Sequence, residues 1–155
     1  MHAKNILVPV NGDRAGEGAF RLACGLARES KARLYAVHII EVTHDLPLDA
    51  EVDPSHAEAA LDRIEALSHE EKYKVEAQCL QARSAGPAIV EEASQRGADL
   101  IVVGINHNRH MGRATGRFTV GETASYLLTN APCPVILWRE LDGVKARHET
   151  RSLVR

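Results

Sequence analysis

Short apolar runs alternate along this chain with segments in which apolar residues recur every three or four positions. This pattern predicts strands and helices in alternation. Apolar runs at 5–10, 33–40, 98–104 and 135–138 are typical of strands buried on both faces. The segment 73–82 alternates between apolar and polar positions, which predicts an edge strand with one partly wet face. Apolar spacings of three and four residues predict helices over about 14–30 and 55–72, from Gly86 to Gly97, and after Gly121.

Capping residues indicate where two of these helices begin or end, and apolar residues indicate which helix faces are buried. Asp13 follows the first strand and is a predicted N-cap, and Gly97 is a predicted C-terminal cap. The predicted buried stripe of the first helix consists of Ala19, Leu22, Ala23, Leu26 and Ala27. The predicted buried face of the last helix consists of Ala124, Leu127 and Leu128.

The order of these elements predicts one α/β domain over residues 1–140. Five strands alternate with four helices, which gives three layers, a parallel sheet and right-handed crossovers. Residues 141–155 mix charges without periodicity and are expected to form an exposed tail.

The composition argues against nucleic-acid and membrane partners. The net charge of −2 lacks the basic excess of a nucleic-acid coat, and two Phe, three Tyr and one Trp offer few stacking platforms. The apolar run near the start is too short for a signal peptide or a membrane span. Three scattered cysteines without a Cys-x-x-Cys pair indicate small buried side chains in a reducing compartment. We therefore expect a cytoplasmic protein without nucleic-acid or membrane partners.

A basic, glycine-rich segment follows the fourth predicted strand. No acidic residue lies between Leu100 and Gly121, and the basic side chains there are His107, Arg109, His110, Arg113 and Arg117. A glycine-rich turn that leaves a buried strand, with positive charge and a helix N-terminus nearby, forms phosphate sites in α/β proteins. The segment therefore predicts an anionic ligand, and a hydrated connection with solvated arginines is the alternative.

Metal and catalytic chemistry have little support in the residue pattern. His107 and His110 lie on the same loop without a neighbouring cysteine or carboxylate, which is a poor metal ligand set. His38 lies within an apolar strand and is predicted to be a hydrogen-bonded core histidine. Ser125 and Tyr126 have no evident histidine partner, so no catalytic residue and no metal ligand is predicted.

Four stretches of the sequence resemble the universal stress protein family of the UspA-like type, over roughly residues 3–139. They are NILVPVNGD, LYAVHIIEV, GPAIVEEASQRGADLIVVG and VGETASYLLTNAPCPVILW. The resemblance implies a Rossmann-like sheet of five parallel strands in the order 3-2-1-4-5. It also implies a homodimer in which the last strands of two subunits pair, and here that strand would consist of Val135, Ile136, Leu137, Trp138 and Arg139.

The resemblance further implies a nucleotide site in the crevice between strands 1 and 4. Pro9 and Val10 would lie beside the adenine and ribose, Ile39 or Ile40 would form an apolar wall, and Val103 would lie under the base. Asn11 would bond the ribose. Gly104 and Gly121 would permit close backbone approach, and Arg113 and Arg117 would bind phosphate.

Four features depart from the nucleotide-binding pattern of the family, which runs Gly-x-x-Gly, a spacer, then Gly-Ser or Gly-Thr. Asn11 stands where an aspartate is expected, and His107 replaces the second glycine. The spacer of 13 residues is longer than that of the family. Glu122 replaces the hydroxyl residue and would repel phosphate, whereas Thr123 supplies a hydroxyl one position later.

The function implied by the resemblance is a homodimeric stress-response regulator that binds an adenine nucleotide (ATP, ADP or AMP), with or without Mg²⁺. The first alternative is a nucleotide-free UspA-type dimer that acts through an unknown protein partner. A slow nucleotide hydrolase is the third possibility, and it rests on fold analogy alone.

Overall fold

The computed structural model describes residues 2–106 and 120–140. Within them, nine elements follow one another in strict alternation of strand and helix. They are β1 (Asn5–Pro9), α1 (Arg14–Ser30), β2 (Arg33–Glu41), α2 (Ser55–Glu71), β3 (Val75–Ala82), α3 (Ala85–Gln95), β4 (Leu100–Asn106), α4 (Glu122–Asn130) and β5 (Val135–Glu140).

The strands form one parallel sheet in the order β3-β2-β1-β4-β5, which confirms the predicted α/β class and strand order. In the centre, β1 pairs with β2 from Asn5↔Arg33 onwards, and with β4 through Ile6↔Leu100. β3 forms one edge of the sheet, as its alternating sequence predicts, and β5 forms the other.

The two faces of the sheet carry separate apolar cores. One core joins α1 and α2 to strand residues such as Ile6 and Val102, and contains the fully buried Phe20. The other joins α3 and α4 to strand residues such as Leu7 and Ile101. Because successive strand residues point to opposite faces, the central strands must be apolar at every position, and the sequence meets that requirement.

Local signals set the ends of the helices. The Asp13 carboxylate caps α1 by accepting a hydrogen bond from the Gly16 N–H at 2.7 Å, as predicted. Gly97 has a φ of 61° after α3, which fits its predicted role at the end of that helix. Helices α1 and α2 instead end on left-handed Lys31 and Lys72.

Two predicted helix faces are partly wrong. In α1 the fully buried stripe is centred on Phe20 and Cys24, while Leu22 and Leu26 are only partly buried at its margin. In α4, Leu127 is buried but Leu128 is 54% exposed. Neighbouring helix residues differ by about 100° in direction, so Leu127 and Leu128 cannot both lie at the centre of one buried face.

The predicted tail at 141–155 lies outside the described residues. Within the part of the chain that is described, no helix is both long enough and apolar enough to cross a membrane.

Candidate functional site

A cavity of about 330 Å³ opens at the carboxyl ends of β1 and β4. The chain passes from β1 to α1 on one face of the sheet and from β4 to α4 on the opposite face. The connections that follow β1 and β4 therefore diverge at this point. Such a divergence leaves a crevice, which is the general ligand position in open α/β sheets. Its described lining consists of Pro9, Val10, Asn11, Asp13, Gly16, Val37, Ile39, Ala85, Ile89, Val103, Gly104, Ile105, Asn106, Val120, Gly121, Glu122, Thr123 and Ala124.

One wall of the cavity is apolar and comes from three adjacent strands. Val37 and Ile39 of β2 and Val103 of β4 lie on the face that carries α3 and α4, and Pro9 lies between them at the end of β1. Ile89 of α3 adds to the same wall. An apolar wall of this kind suits an aromatic ring system.

The opposite end of the lining is polar and is held by hydrogen bonds. Asn11 Oδ1 accepts from the Asp13 N–H at 3.2 Å, which shapes the turn after β1. One Asp13 carboxylate oxygen caps α1, and the other accepts from Asn106 Nδ2 at 2.6 Å. The loop after β1 is therefore tied directly to the end of β4.

Gly104 lets α1 sit close against β4. A Cβ at this position would lie 2.1 Å from the Ala15 carbonyl oxygen and 2.8 Å from the Gly16 nitrogen, both backbone atoms of the first turn of α1. The missing side chain of Gly104 therefore admits the first turn of α1, and Gly104 also lines the cavity, where its predicted role towards a nucleotide stays a prediction.

The N-terminus of α4 forms a third side of the cavity. Gly121 precedes the helix with a φ of 84°, which explains the glycine, and provides no side-chain cap for the first N–H groups. Backbone N–H groups at the start of a helix carry partial positive charge and bind anions. Glu122, Thr123 and Ala124 belong to this first turn and line the cavity.

The structure brings most of the predicted nucleotide-site residues together. Lining residues among them are Pro9, Val10, Asn11, Ile39, Val103, Gly104, Gly121, Glu122 and Thr123. Of the two candidates for the apolar wall, Ile39 lines the cavity and Ile40 is absent from its described lining, since it points to the other face of β2. His107, Arg113 and Arg117 lie outside the described residues.

Sequence reasoning missed three important contributors to the lining. Val37 lies two residues before Ile39 on the same face, and the period of the strand could have identified it. The sequence predicts Asp13 only as a helix cap, although it also lines the cavity. Asn106 gave no local signal, because its partner Asp13 lies 93 residues away in the chain.

His38 is a core histidine, as its sequence context predicts. Its side chain is 4% exposed, and its Nδ1 lies 2.9 Å from the Val10 carbonyl oxygen. The carbonyl can only accept, so Nδ1 carries the proton in this hydrogen bond. Among the described residues, no group of three His, Cys, Asp or Glu side chains is arranged to hold a metal ion.

Comparison with known proteins shows the family to which this chain belongs. The model of the universal stress protein family matches residues 2–139. The chain belongs to the universal stress protein family. A universal stress protein of Thermus aquaticus is 34% identical over 140 residues, which cover 88% of this chain and 98% of the relative.

Solved universal stress proteins share the fold. One from Archaeoglobus fulgidus is 25% identical with a TM-score of 0.71, and the match covers 86% of this chain and 97% of the other. A universal stress protein of the same organism in complex with dAMP is 22% identical with a TM-score of 0.66, covering 88% and 98%. Two further solved universal stress proteins hold cAMP and AMP.

Proposed function

We propose that this universal stress protein binds an adenine nucleotide in the cavity between β1 and β4 and acts as a regulator. The observation that carries the proposal is the cavity itself, which has an apolar wall at one side and the uncapped N-terminus of α4 at another. Solved relatives of the same fold with dAMP, cAMP or AMP bound support the choice of adenine.

The apolar wall provides the site for the base. Val37, Ile39 and Val103 offer aliphatic surface to an adenine ring, and Pro9 at the end of β1 adds to the same lining. Burial of apolar surface stabilises binding by about 25 cal/mol per Å², so a wall of this kind supplies affinity without a charged contact.

The polar residues provide for the sugar and the phosphate. Asn11 uses its Oδ1 within the turn, and its Nδ2 has no hydrogen-bond partner among residues 2–106 and 120–140, so it is available to a ribose oxygen. The first N–H groups of α4 and the Thr123 hydroxyl suit a phosphate. Arg113 and Arg117, outside the described residues, are proposed to add charge-assisted contacts to that phosphate.

We propose binding rather than catalysis as the role of the site. The acids in its described lining are Asp13 and Glu122, and both oxygens of Asp13 are already used by Gly16 and Asn106. A nucleotide that bridges β1, β4 and α4 would hold these elements together. A partner protein would then distinguish the nucleotide-bound form from the free form. Any Mg²⁺ would enter with the nucleotide phosphates.

We also propose that the regulator is a cytoplasmic homodimer formed through β5. This strand forms an edge of the described sheet, and Trp138 on it is 38% exposed. An exposed strand edge is a ready template for pairing with a second chain.

Calorimetry with a matched pair of variants tests nucleotide binding. Ile39→Ala removes part of the base wall, whereas Ile40→Ala makes the same change on the opposite face of the same strand. We expect AMP to bind the wild type and Ile40→Ala alike, and Ile39→Ala about fivefold to tenfold more weakly. Equal weakening by both variants would contradict the assigned wall, and no heat with any protein would contradict nucleotide binding.

Sedimentation velocity tests the dimer. Ile136→Asp and Trp138→Asp both place a charge on β5, while Leu46→Asp places one on an exposed linker leucine. We expect monomers for the β5 variants and a dimer for Leu46→Asp, with circular dichroism to confirm folding. A dimer in folded Trp138→Asp would contradict pairing through β5.

A further inference from the structure

We infer that His38 and His56 together bind a divalent transition-metal ion such as Zn²⁺. The inference is independent of nucleotide binding, because His38 lies on the face of β2 opposite to the one that lines the nucleotide cavity. It follows from the free nitrogen of a buried histidine, from a second histidine beside it and from the preference of this class of metal for imidazole.

One ring nitrogen of His38 is in use and the other is free. The Nδ1–H donates to the Val10 carbonyl oxygen at 2.9 Å, so in the neutral ring Nε2 carries a lone pair. Nε2 has no hydrogen-bond partner among residues 2–106 and 120–140, although the residue is only 4% exposed. No fully buried side-chain nitrogen or oxygen of the described residues lacks a partner, so Nε2 must be accessible from the surface. Histidines that bind metals commonly donate their other N–H to a backbone carbonyl in this way.

His56 lies beside His38 at a spacing that suits a shared ion. It is the second residue of α2 and is exposed. The two ring centroids are 5.4 Å apart, and the rings are inclined by 63°. Two imidazoles that bind one Zn²⁺ at about 2.0–2.1 Å with a tetrahedral angle have centroids about 5 Å apart. Because exposed side chains change rotamer within nanoseconds, His56 can direct a ring nitrogen to the ion without backbone movement.

The surroundings of the pair leave space for the ion and tolerate its charge. Gly12 has a φ of 87°, and a Cβ there would lie 3.6 Å from His56 Cε1, so the glycine leaves that side of the ring open. The partial positive charge at the start of α2 opposes a cation. Glu58 in the first turn and Asp53, which accepts from the Ser55 N–H at 3.0 Å, offset that charge.

The two ligands determine the class of metal and the kind of site. Imidazole suits Zn²⁺, Cu²⁺ and Ni²⁺, whereas Mg²⁺ and Ca²⁺ prefer oxygen ligands. The described residues add no third His, Cys, Asp or Glu to the pair, so water completes the shell and binding is weaker than at a closed structural zinc site. The ion would tie the start of α2 to β2, whose His38 is bonded to Val10 in the lining of the nucleotide cavity.

Titration of the tag-free, ¹⁵N-labelled protein with Zn²⁺ tests the inference, with the histidine ring nitrogens observed by NMR. This readout separates His38 and His56 from every other histidine of the chain. We expect the Nε2 signal of His38 and one ring-nitrogen signal of His56 to shift together, with the same dissociation constant. The same concentration of Mg²⁺ should move neither signal.

His56→Ala and His69→Ala form a matched pair of variants, because both histidines are exposed on α2 and His69 lies in its last turn. We expect His56→Ala to weaken Zn²⁺ binding at His38 at least about tenfold, since one of two protein ligands is lost. We expect His69→Ala to bind as the wild type does. The exposed partner is replaced so that the core around His38 stays intact, and circular dichroism confirms that each variant is folded.

The outcomes separate this inference from the proposed function. If the His38 signals do not respond to Zn²⁺, or respond equally in the wild type and in folded His56→Ala, the shared site is wrong. Shifts confined to histidines outside the pair would also contradict it. None of these results bears on nucleotide binding, which the AMP titrations measure separately.

Discussion

Replacing Gly104 with alanine tests how α1 and β4 together shape the site. The new Cβ would lie 2.1 Å from the Ala15 carbonyl oxygen and 2.3 Å from the Ala15 carbonyl carbon. Real Cβ atoms essentially never approach other heavy atoms within 3.0 Å. The first turn of α1 must therefore move away from β4 by about 1 Å.

The cost of this movement is high because the obstacle is backbone. A flexible side chain could rotate away, whereas the Ala15 carbonyl belongs to the first turn of a helix capped by Asp13. Overpacking of a well-packed interior costs about 1–3 kcal/mol, and we expect the upper end here. For a domain of 155 residues, about 3 kcal/mol corresponds to a fall in Tm of roughly 6–12 °C.

Gly25→Ala is the matched control for this experiment. Gly25 lies inside α1, and a Cβ there would have no heavy atom within 4 Å. Alanine is a better helix former than glycine by about 1 kcal/mol, so this variant should melt about 2–4 °C higher than the wild type. The assay is thermal unfolding followed by far-UV circular dichroism. A Gly104→Ala protein that melts within 2 °C of the wild type would refute the close approach of α1 to β4.

Three further predictions follow from other contacts. Gly18→Ala should displace Trp138, since its Cβ would lie 2.2 Å from the indole Nε1. Because Trp138 is the one tryptophan of the chain, an unchanged emission maximum would contradict that contact. Burial raises the pKa of the Cys24 thiol from 9.0 to about 11. The thiolate therefore forms more easily in the unfolded chain, so ionisation of Cys24 should lower the free energy of unfolding as the pH rises from 9 to 11. Cys24→Ala should reduce this fall, which urea titrations at each pH measure. Burial raises the pKa of Asp99, but N–H donors from Lys4 and Asn5 outweigh it and lower the pKa below 3.8. The contribution of Asp99 to the free energy of unfolding is present above pH 3.8 and is lost as the pH falls below it. Asp99→Asn should therefore flatten the acid limb of the curve of unfolding free energy against pH.

The strands and helices follow from the sequence because local patterns determine them. Asp13 marks the start of α1, and Gly97 marks the end of α3. Both effects act within a few residues of the chain. The alternation of elements then restricts the architecture to a parallel sheet with helices on both faces, while the order of the strands came from the family resemblance.

The details of the site depend on contacts between distant segments, which no local pattern contains. The hydrogen bond of Asn106 to Asp13 joins the ends of two strands that are neighbours only in the folded sheet. Position 104 requires glycine because the first turn of α1, which is likewise distant in the chain, packs against it. The exposure of Leu128 depends on where α4 meets the sheet, which its apolar residues alone do not determine.

Chemical-shift mapping of the labelled protein with AMP tests the central claim most directly, because it reports both binding and location. We predict that the amide signals that move most belong to four segments around the cavity, at 10–13, 37–39, 103–106 and 121–124. Unchanged spectra at millimolar AMP, or shifts confined to residues remote from the ends of β1 and β4, would contradict the proposed nucleotide site.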